Sequence, residues 1–338
     1  MLAWVVVIGL PESAQAQIES LGESPSIMTV SGPVPVTAIG PVLTHEHLFS
    51  IFGAEPSRHP DYDDKRLNAT VLPALHAVRA QGVRMVVDAT AAWFGRDPGR
   101  LLRLAEASDL WVVTPTGFYG AAQGRYLPPD VATRSADEIA SEWIDEWQHG
   151  IRGSGIRPGF IKLGVNAGAM EAVDRKLLAA AARTHLATGL TVAVHTGDNV
   201  ESAAEQRAIL RAEGVSPEAW IWVHAHKVSA VEALISAARE GGWISLDGWN
   251  ESTAPQMIDQ LLGLRQAGVL DRVLLSHDGN LFPFRGEPRS INFLFGAGRK
   301  QMTEAGITTE EWHQLTIRNP AKAWAVNVRG AEAEKKSR

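Results

Sequence analysis

The stretch "VLTHEHLF", Val42 to Phe49, ends an apolar run by setting two histidines around one glutamate. Side chains alternate along an extended chain, so His45 and His47 leave on one face and Glu46 on the other. A pair of imidazoles on one face can hold a metal ion, or it can simply finish a strand in polar residues. Four more groups stand in similar places: Lys162 in "GFIKLG", His195 at the end of "LTVAVH", His224 after "WIWV" and Asp278 after "RVLLSH". Any one of them alone reads as a core polar residue with its hydrogen bonds made. Together they are four imidazoles, a carboxylate and an amine, too many for one tetrahedral zinc with an open position and suited to two cations sharing a bridge. The lysine is the odd member, because cations repel an ammonium. Burial lowers a lysine pKa, and a neutral amine can add carbon dioxide to become a carbamate, an anion with two oxygens. A lysine whose stem snorkels from a strand end fits the spacing equally well.

The elements that must position these groups read as short apolar, β-branched runs bounded by turn residues. Eight occur in order: "GPVLTH", "VRMVVDAT" from Val83, "LWVVTPTG" from Leu110, "GFIKLG" from Gly159, "LTVAVH" from Leu190, "WIWVHA" from Trp220, "GWISLDG" from Gly242 and "RVLLSH" from Arg272. Amphipathic stretches alternate with them, for example "TVLPALHAVRAQG", "DPGRLLRLAEAS", "SADEIASEWIDEWQHGI", "DRKLLAAAARTHLATG" and "VSAVEALISAAREGG". Ser135 and Asp174 read as N-caps, and Gly82, Gly189 and Gly241 as stops. Eight such units predict an α/β fold, a closed parallel (β/α)8 TIM barrel. A doubly wound sheet is the alternative, but it usually carries a Gly-rich phosphate loop, and no G-x-G-x-x-G follows the first run. Active sites of such barrels lie at the C-terminal ends of the strands. His45, His47, Lys162, His195, His224 and Asp278 all fall there, on five strands, which independent accidents would not produce.

The chain has 338 residues, 45% of them hydrophobic, which is enough for a large core and usual for a barrel built as one unit. The expected organisation is a leader over 1–24, one barrel domain over 25–328 and a frayed polar tail over 329–338. The opening "MLAWVVVIGLPESAQAQ" has an apolar run of signal-peptide length, and Ala14 and Ala16 fit a cleavage pattern, although the usual basic start is missing. A periplasmic or secreted location is the expectation, with a cytoplasmic one as the alternative. The run is too short to span a bilayer. The net charge of -6, with lysine and arginine scattered, gives no footprint for nucleic acid or a membrane surface. There is no cysteine, so disulfides and thiolate ligands are excluded.

The motifs "THEH", "GFIKLG", "VAVHTGD", "WVHAH" and "LLSHD" resemble those of the phosphotriesterase family of the amidohydrolase superfamily, which includes organophosphate hydrolases and phosphotriesterase-like lactonases. Segments such as "TVSGPVPVTAIGPVLTHEH", "GRDPGRLLRLAEAS", "TPTGFYG", "IRGSGIRPGFIKLG" and "IRNPAKAWA" extend the resemblance from about Met28 to about Ala325. It implies that His45, His47 and Asp278 hold a buried metal ion and that His195 and His224 hold a more exposed one. Lys162 would be an N6-carboxylysine bridging the two, together with a hydroxide. Same-face geometry allows His226 in place of His224; the resemblance selects His224 and leaves His226 and Asp247 behind the ligands. The ions are expected to be two divalent cations, zinc first, with manganese, cobalt or iron also suited to these ligands. His277 should face away from the site, and His59, His76, His149, His185 and His313 are expected to have no catalytic part. Homodimers, common among the relatives, are an expectation for this chain.

The expected chemistry is metal-assisted hydrolysis. Two cations about 3.5–4 Å apart would lower the pKa of a bridging water toward about 7, and Asp278 would take the proton released on attack. Tyr119 in "TGFY" matches an active-site tyrosine of the lactonases, whereas "LDGW" places Gly248 where those lactonases carry arginine. Trp93, Phe94, Tyr119, Trp249, Phe282 and Phe284 fall on loops at the strand ends and are candidates for an apolar substrate pocket, or equally for lid packing or a dimer contact. The expected substrate is a lactone or related carboxylic ester, with organophosphate triesters as a side activity. A dedicated phosphotriesterase, a barrel that binds its ligand without turnover and a mononuclear deaminase-like member of the superfamily are the alternatives.

Overall fold

The computed structural model describes residues 25–331. The apolar run from Leu2 to Leu10, with Ala14 and Ala16, lies outside the described residues, as do residues 332–338. The described part opens with an antiparallel hairpin, β1 (Ser26–Thr29) and β2 (Gly32–Pro35). Gly32 turns it at φ 108°, where a Cβ would be strained.

The barrel strands follow: β3 (Val42–Glu46), β4 (Met85–Asp88), β5 (Trp111–Val113) with its continuation β6 (Pro115–Thr116), β7 (Phe160–Gly164), β8 (Thr191–His195), β9 (Trp220–Val223), β10 (Trp243–Leu246) and β11 (Val273–Leu275). All pair in parallel with their neighbours, β3 with β4 and β4 with β5, and β6 through β11 in chain order. Each of the eight expected runs contains one of these strands. The third is broken at Thr114, before a proline that has no N–H to give a ladder. The seam between β11 and β3 is closed by the Asp278 N–H on the His45 carbonyl at 3.1 Å and by the Thr44 hydroxyl on the Leu275 carbonyl at 2.9 Å.

The buried side chains separate into two clusters, which shows which way each strand residue points. Val42, Met85, Val87, Val113, Phe160, Ala193, Ile221, Val223, Trp243 and Leu274 fill the barrel interior. Ile27, Val34 and Ile39 from the hairpin region, together with Trp324, belong to the same cluster and close its floor; the Phe160 and Trp324 rings meet edge to face at 4.8 Å. Leu43, Val86, Val112, Ile161, Val192, Trp222, Ile244 and Val273 face the surrounding helices.

Ser135 caps the helix Ala136–His149 through a reciprocal box with Glu138, as its position in the sequence predicts. At the helix Ala172–Thr188 the cap is Glu171 rather than Asp174, which sits one turn in and returns its carboxylate to the Glu171 N–H. The polar tail is anchored at its start. The Arg329 N–H donates to His185 Nε2 at 2.9 Å and its guanidinium reaches Thr191, Lys322 and Ala325, so fraying does not begin at residue 329.

Candidate active site

Alternation alone places two of the expected groups correctly. Lys162 shares the inward face of β7 with Phe160, and His195 that of β8 with Ala193. For β3 alternation fails, because Leu43 faces outward and His45 would follow it. The register between β3 and β4 shifts after Leu43, so that Thr44 and His45 together stand opposite the single residue Val87. This irregularity turns His45 and His47 into the mouth and sends Glu46 outward. His224 likewise follows an inward Val223 and should point out. Its backbone is left-handed, φ 61°, as is that of Asp278 at 53°, and these turns aim both side chains inward.

The result is one convergent cluster. His45 Nε2 and His47 Nε2 lie 3.5 and 3.4 Å from Asp278 Oδ1. The His224 ring stands 5.1 Å from that of His45 and 4.5 Å from that of His195. Behind them Asp247, fully buried, accepts from His224 Nδ1 at 2.9 Å and His226 Nδ1 at 3.0 Å and lies 3.3 Å from His45 Nδ1. One carboxylate thus orients three imidazoles and leaves Nε2 of His45 and His224 directed at the cluster, the arrangement by which outer partners fix metal-binding histidines. His226 bonds Asp247 behind the cluster. It also stands near His224 and Asp247 in a grouping that could hold an ion of its own.

The donor set fits a cation. His45 Nε2 and Lys162 Nζ are buried without a hydrogen-bond partner, and a native core rarely leaves such atoms unsatisfied. Burial, reinforced by Lys162, pulls the His45 pKa down to about 4, so the imidazole is neutral and able to ligate. His195 is held well below its ordinary value by burial, His224 and Lys162. Burial lowers Lys162 to about 8 against the opposing pull of Asp247 and Asp278. Burial by itself would raise Asp278, but the surrounding His224, His47 and His45 outweigh it and hold the carboxyl far below the usual range.

The cavity above this cluster has a volume of about 320 Å³ and is lined by His45, His47, Lys162, His195, His224 and Asp278 on its base. Phe52, Phe94 and Tyr119 form an aromatic wall, with Phe94 stacked on Tyr119 at 5.1 Å. Gly164 permits this: a Cβ there would stand 2.8 Å from the Tyr119 ring. The Tyr119 hydroxyl is 3.3 Å from His195 Nδ1, and burial raises its pKa so that it stays protonated. Lys227, Asn280 and Arg289 complete the lining.

The other expected wall residues are elsewhere. Trp249 is 1% exposed and packs into the core between strands and helices, because its backbone N–H bonds the Ser276 carbonyl and draws the chain across the end of β11. Phe282 packs against that core and meets the Arg66 guanidinium at 5.9 Å. Trp93, in a left-handed turn at φ 64°, also packs against that core, and Phe284 is 59% exposed outside the lining. Phe52, Lys227, Asn280 and Arg289 carry no ligand-type signal in the sequence and are found only through the fold. His277 faces away, as expected: the Leu294 N–H donates to its Nε2, so Nδ1 carries the proton given to Glu46 at 2.7 Å. Gly248 has no room for a side chain. A Cβ would meet His226 Nε2 at 2.5 Å and Met257 Cε at 2.7 Å.

A sequence model of the phosphotriesterase family matches residues 25–324 of this barrel. The chain belongs to the phosphotriesterase family. It is 28% identical to an aryldialkylphosphatase of Saccharolobus solfataricus over 71% of this chain and 77% of that one. It is 31% identical to a phospho-furanose lactonase of Mycoplasmopsis agalactiae over 50% of this chain and 51% of the relative. The solved organophosphorus hydrolase of Deinococcus radiodurans superposes with a TM-score of 0.81 at 26% identity, covering 90% of this chain and 98% of that one. These phosphotriesterase relatives are hydrolases named for phosphotriester and lactone substrates, and the family is metal-dependent; this chain is a hydrolase of that family.

Proposed function

We propose that the chain hydrolyses a lactone or related carboxylic ester, with organophosphate triesters as secondary substrates. Two divalent cations, zinc first, would be held by His45, His47, Asp278, His195, His224 and a carboxylated Lys162. The observation that carries this reading is Lys162 Nζ, buried at the base of the cavity, without a partner, beside four imidazoles and an ionised carboxylate. Once the ammonium has lost a proton, addition of carbon dioxide to the neutral amine forms an N–C bond and releases a second proton, so that an unpaired cation is replaced by an anion with two ligating oxygens. Bound there, divalent cations would lower the pKa of a water toward about 7 and polarise a substrate oxygen.

The chain's own groups supply the remainder. Asp278, ionised throughout the neutral range, would accept the proton of the attacking water and return it to the alkoxide freed when the ring C–O bond breaks. Tyr119, kept protonated, offers an O–H toward the substrate oxygens, and together with Phe52 and Phe94 excludes water from one wall. Asp247 holds the imidazoles in the tautomer that leaves Nε2 free. A dedicated phosphotriesterase is the second reading. Gly248 favours it, since this chain lacks the strand-seven arginine of the lactonases that it resembles.

The test is metal content per chain, measured on the same preparation as hydrolysis of a γ-lactone, a long-chain acyl lactone, an aryl ester and paraoxon. Two metal equivalents with lactone preferred is the expected result; paraoxon preferred would select the second reading. Lys162→Ala should lower metal content and reduce turnover by more than the roughly 10–100-fold that loss of an outer partner costs. Full metal content with a normal rate in that variant would sink the bridging role.

A further inference from the structure

The imidazoles at the base of the cavity are not backed alike. Asp247, just past the end of β10, takes the Nδ1 side of His45 and of His224. His47 is served from another element: its Nδ1 lies 2.9 Å from the hydroxyl of Thr90, fully buried two residues beyond the end of β4 and outside the cavity lining. In the sequence Thr90 is only the last residue of the run that starts at Val83. The fold holds it on both sides. Its N–H donates to Asp88 Oδ1 at 3.0 Å, and Asp88 Oδ2 accepts the Leu48 N–H at 2.7 Å, so one buried carboxylate ties the residue after His47 to the backbone of Thr90. The Ala89 N–H completes the tie by donating to the Glu46 carbonyl at 2.7 Å. The Thr90 hydroxyl itself donates to the Phe49 carbonyl at 3.1 Å. A hydroxyl has one proton and a carbonyl can only accept, so the Thr90 oxygen is left with lone pairs to offer His47. His47 Nδ1 then carries the ring proton, and the Nε2 lone pair is directed at the cluster, 3.4 Å from Asp278 Oδ1. Phe94, from the same loop, meets the His47 ring edge to face at 5.7 Å and fixes its tilt.

We propose that Thr90 is a positioning residue: its hydroxyl sets the tautomer of His47 and thereby the retention of the metal ion that His47 would hold. This rests on the metal-dependent reading of the site and adds to it a residue that touches neither the cavity nor the substrate. Metal-binding imidazoles are fixed by the partner on their other nitrogen. The barrel supplies two kinds of partner, a carboxylate after β10 for His45 and His224 and a hydroxyl after β4 for His47, so His47 can be disturbed without touching the other two. Valine has the shape of threonine but neither donates nor accepts. In Thr90→Val the Nδ1 proton loses its acceptor, and the ring is free to turn or to carry its proton on Nε2, where a metal ion would have to displace it.

The experiment reads zinc affinity by competition with a chelator on the full chain, without substrate. Thr90→Val is expected to weaken it about 10–100-fold, the usual effect of losing an outer partner, and Thr90→Ser, which keeps the hydroxyl, to stay close to wild type. Thr184, equally buried and bonded through its hydroxyl to the Ala180 carbonyl within a helix, provides the control: Thr184→Val should leave zinc affinity unchanged. Wild-type affinity in Thr90→Val, or a Thr90→Ser variant as weak as Thr90→Val, overturns the role. A second measurement needs no variant to fold. In the nitrogen NMR spectrum of the zinc-loaded wild type, the His47 ring, identified by its proximity to Phe94, should show a protonated Nδ1 and an unprotonated Nε2; the opposite tautomer overturns the proposal. If zinc binds but none of the substrates named above is hydrolysed, the reading of the reaction fails while the affinity series still decides Thr90. A wild type that retains no metal overturns both.

Discussion

A Cβ at position 248 would collide with the ring nitrogen of His226, so the two residues share one volume. His226 in turn donates to Asp247, which orients His224 and His45. Gly248→Ala is therefore expected to cost about 1–3 kcal/mol through overpacking, and Gly248→Arg more. Combining Gly248→Ala with His226→Ala should be less damaging than the sum of the two by about 1 kcal/mol, since the second change empties the contested space. Urea midpoints of the metal-loaded single and double variants measure this, and an additive result would mean that the collision relaxes elsewhere. At this scale the sequence was a good guide to chemistry and a poor one to direction. It named His45, His47, Lys162, His195, His224 and Asp278, which the fold brings together. It could not show that a register shift and two left-handed residues aim four of them, because alternation points His45, His47 and His224 outward.

At the scale of elements, the glutamate between the two histidines joins the barrel's first and last strands. Glu46 Oε1 accepts from the Ser276 hydroxyl at 2.7 Å, the His277 N–H at 3.0 Å and His277 Nδ1 at 2.7 Å, and Oε2 accepts from the Gly279 N–H at 2.7 Å. This carboxylate fixes the loop that carries Asp278. Glu46→Ala would leave several buried donors unpaired, at about 1–3 kcal/mol each. The expected outcome is a loss of at least about 3 kcal/mol in chemical denaturation, with weakened metal retention; a loss below about 1 kcal/mol would show that the seam holds by backbone bonds alone. The eight strands were legible because each is an apolar run, and the helix ends at Gly82, Gly189 and Gly241 because only glycine takes those left-handed turns easily. The wall of the cavity was not legible. An aromatic on a loop can face in or pack away, and Trp249 and Phe94, alike in sequence terms, do opposite things.

At the scale of the whole molecule, a histidine distant from the mouth links the chain's last described residues to the barrel. His185 Nδ1 donates to the Leu190 carbonyl at 2.9 Å while Nε2 accepts the Arg329 N–H, so the ring is neutral and both nitrogens are used. Burial, helped by the Arg329 charge, lowers its pKa. Between that value and the unfolded value of about 6.5 the unfolded chain holds the extra proton, so stability falls as pH drops below about 6.5 and levels off once the folded form is protonated. Thermal melts of the metal-loaded protein from pH 7.5 to 5.5 should therefore decline less steeply for His185→Gln, which keeps a donor and an acceptor but cannot titrate. Parallel slopes would assign the acid sensitivity elsewhere.

The sealed floor described above also governs traffic. Among the described residues, Ile27, Val34, Ile39 and Trp324 pack beneath the inward residues of the strands and fill the barrel's lower end. The cavity that Phe52 and Arg289 help to line opens at the other end of the barrel, so substrate and product are expected to share one mouth. A site closed below would work as a cul-de-sac: each departing molecule would clear the way for the next, and the water consumed in a cycle would have to be inside before the substrate blocks the entrance.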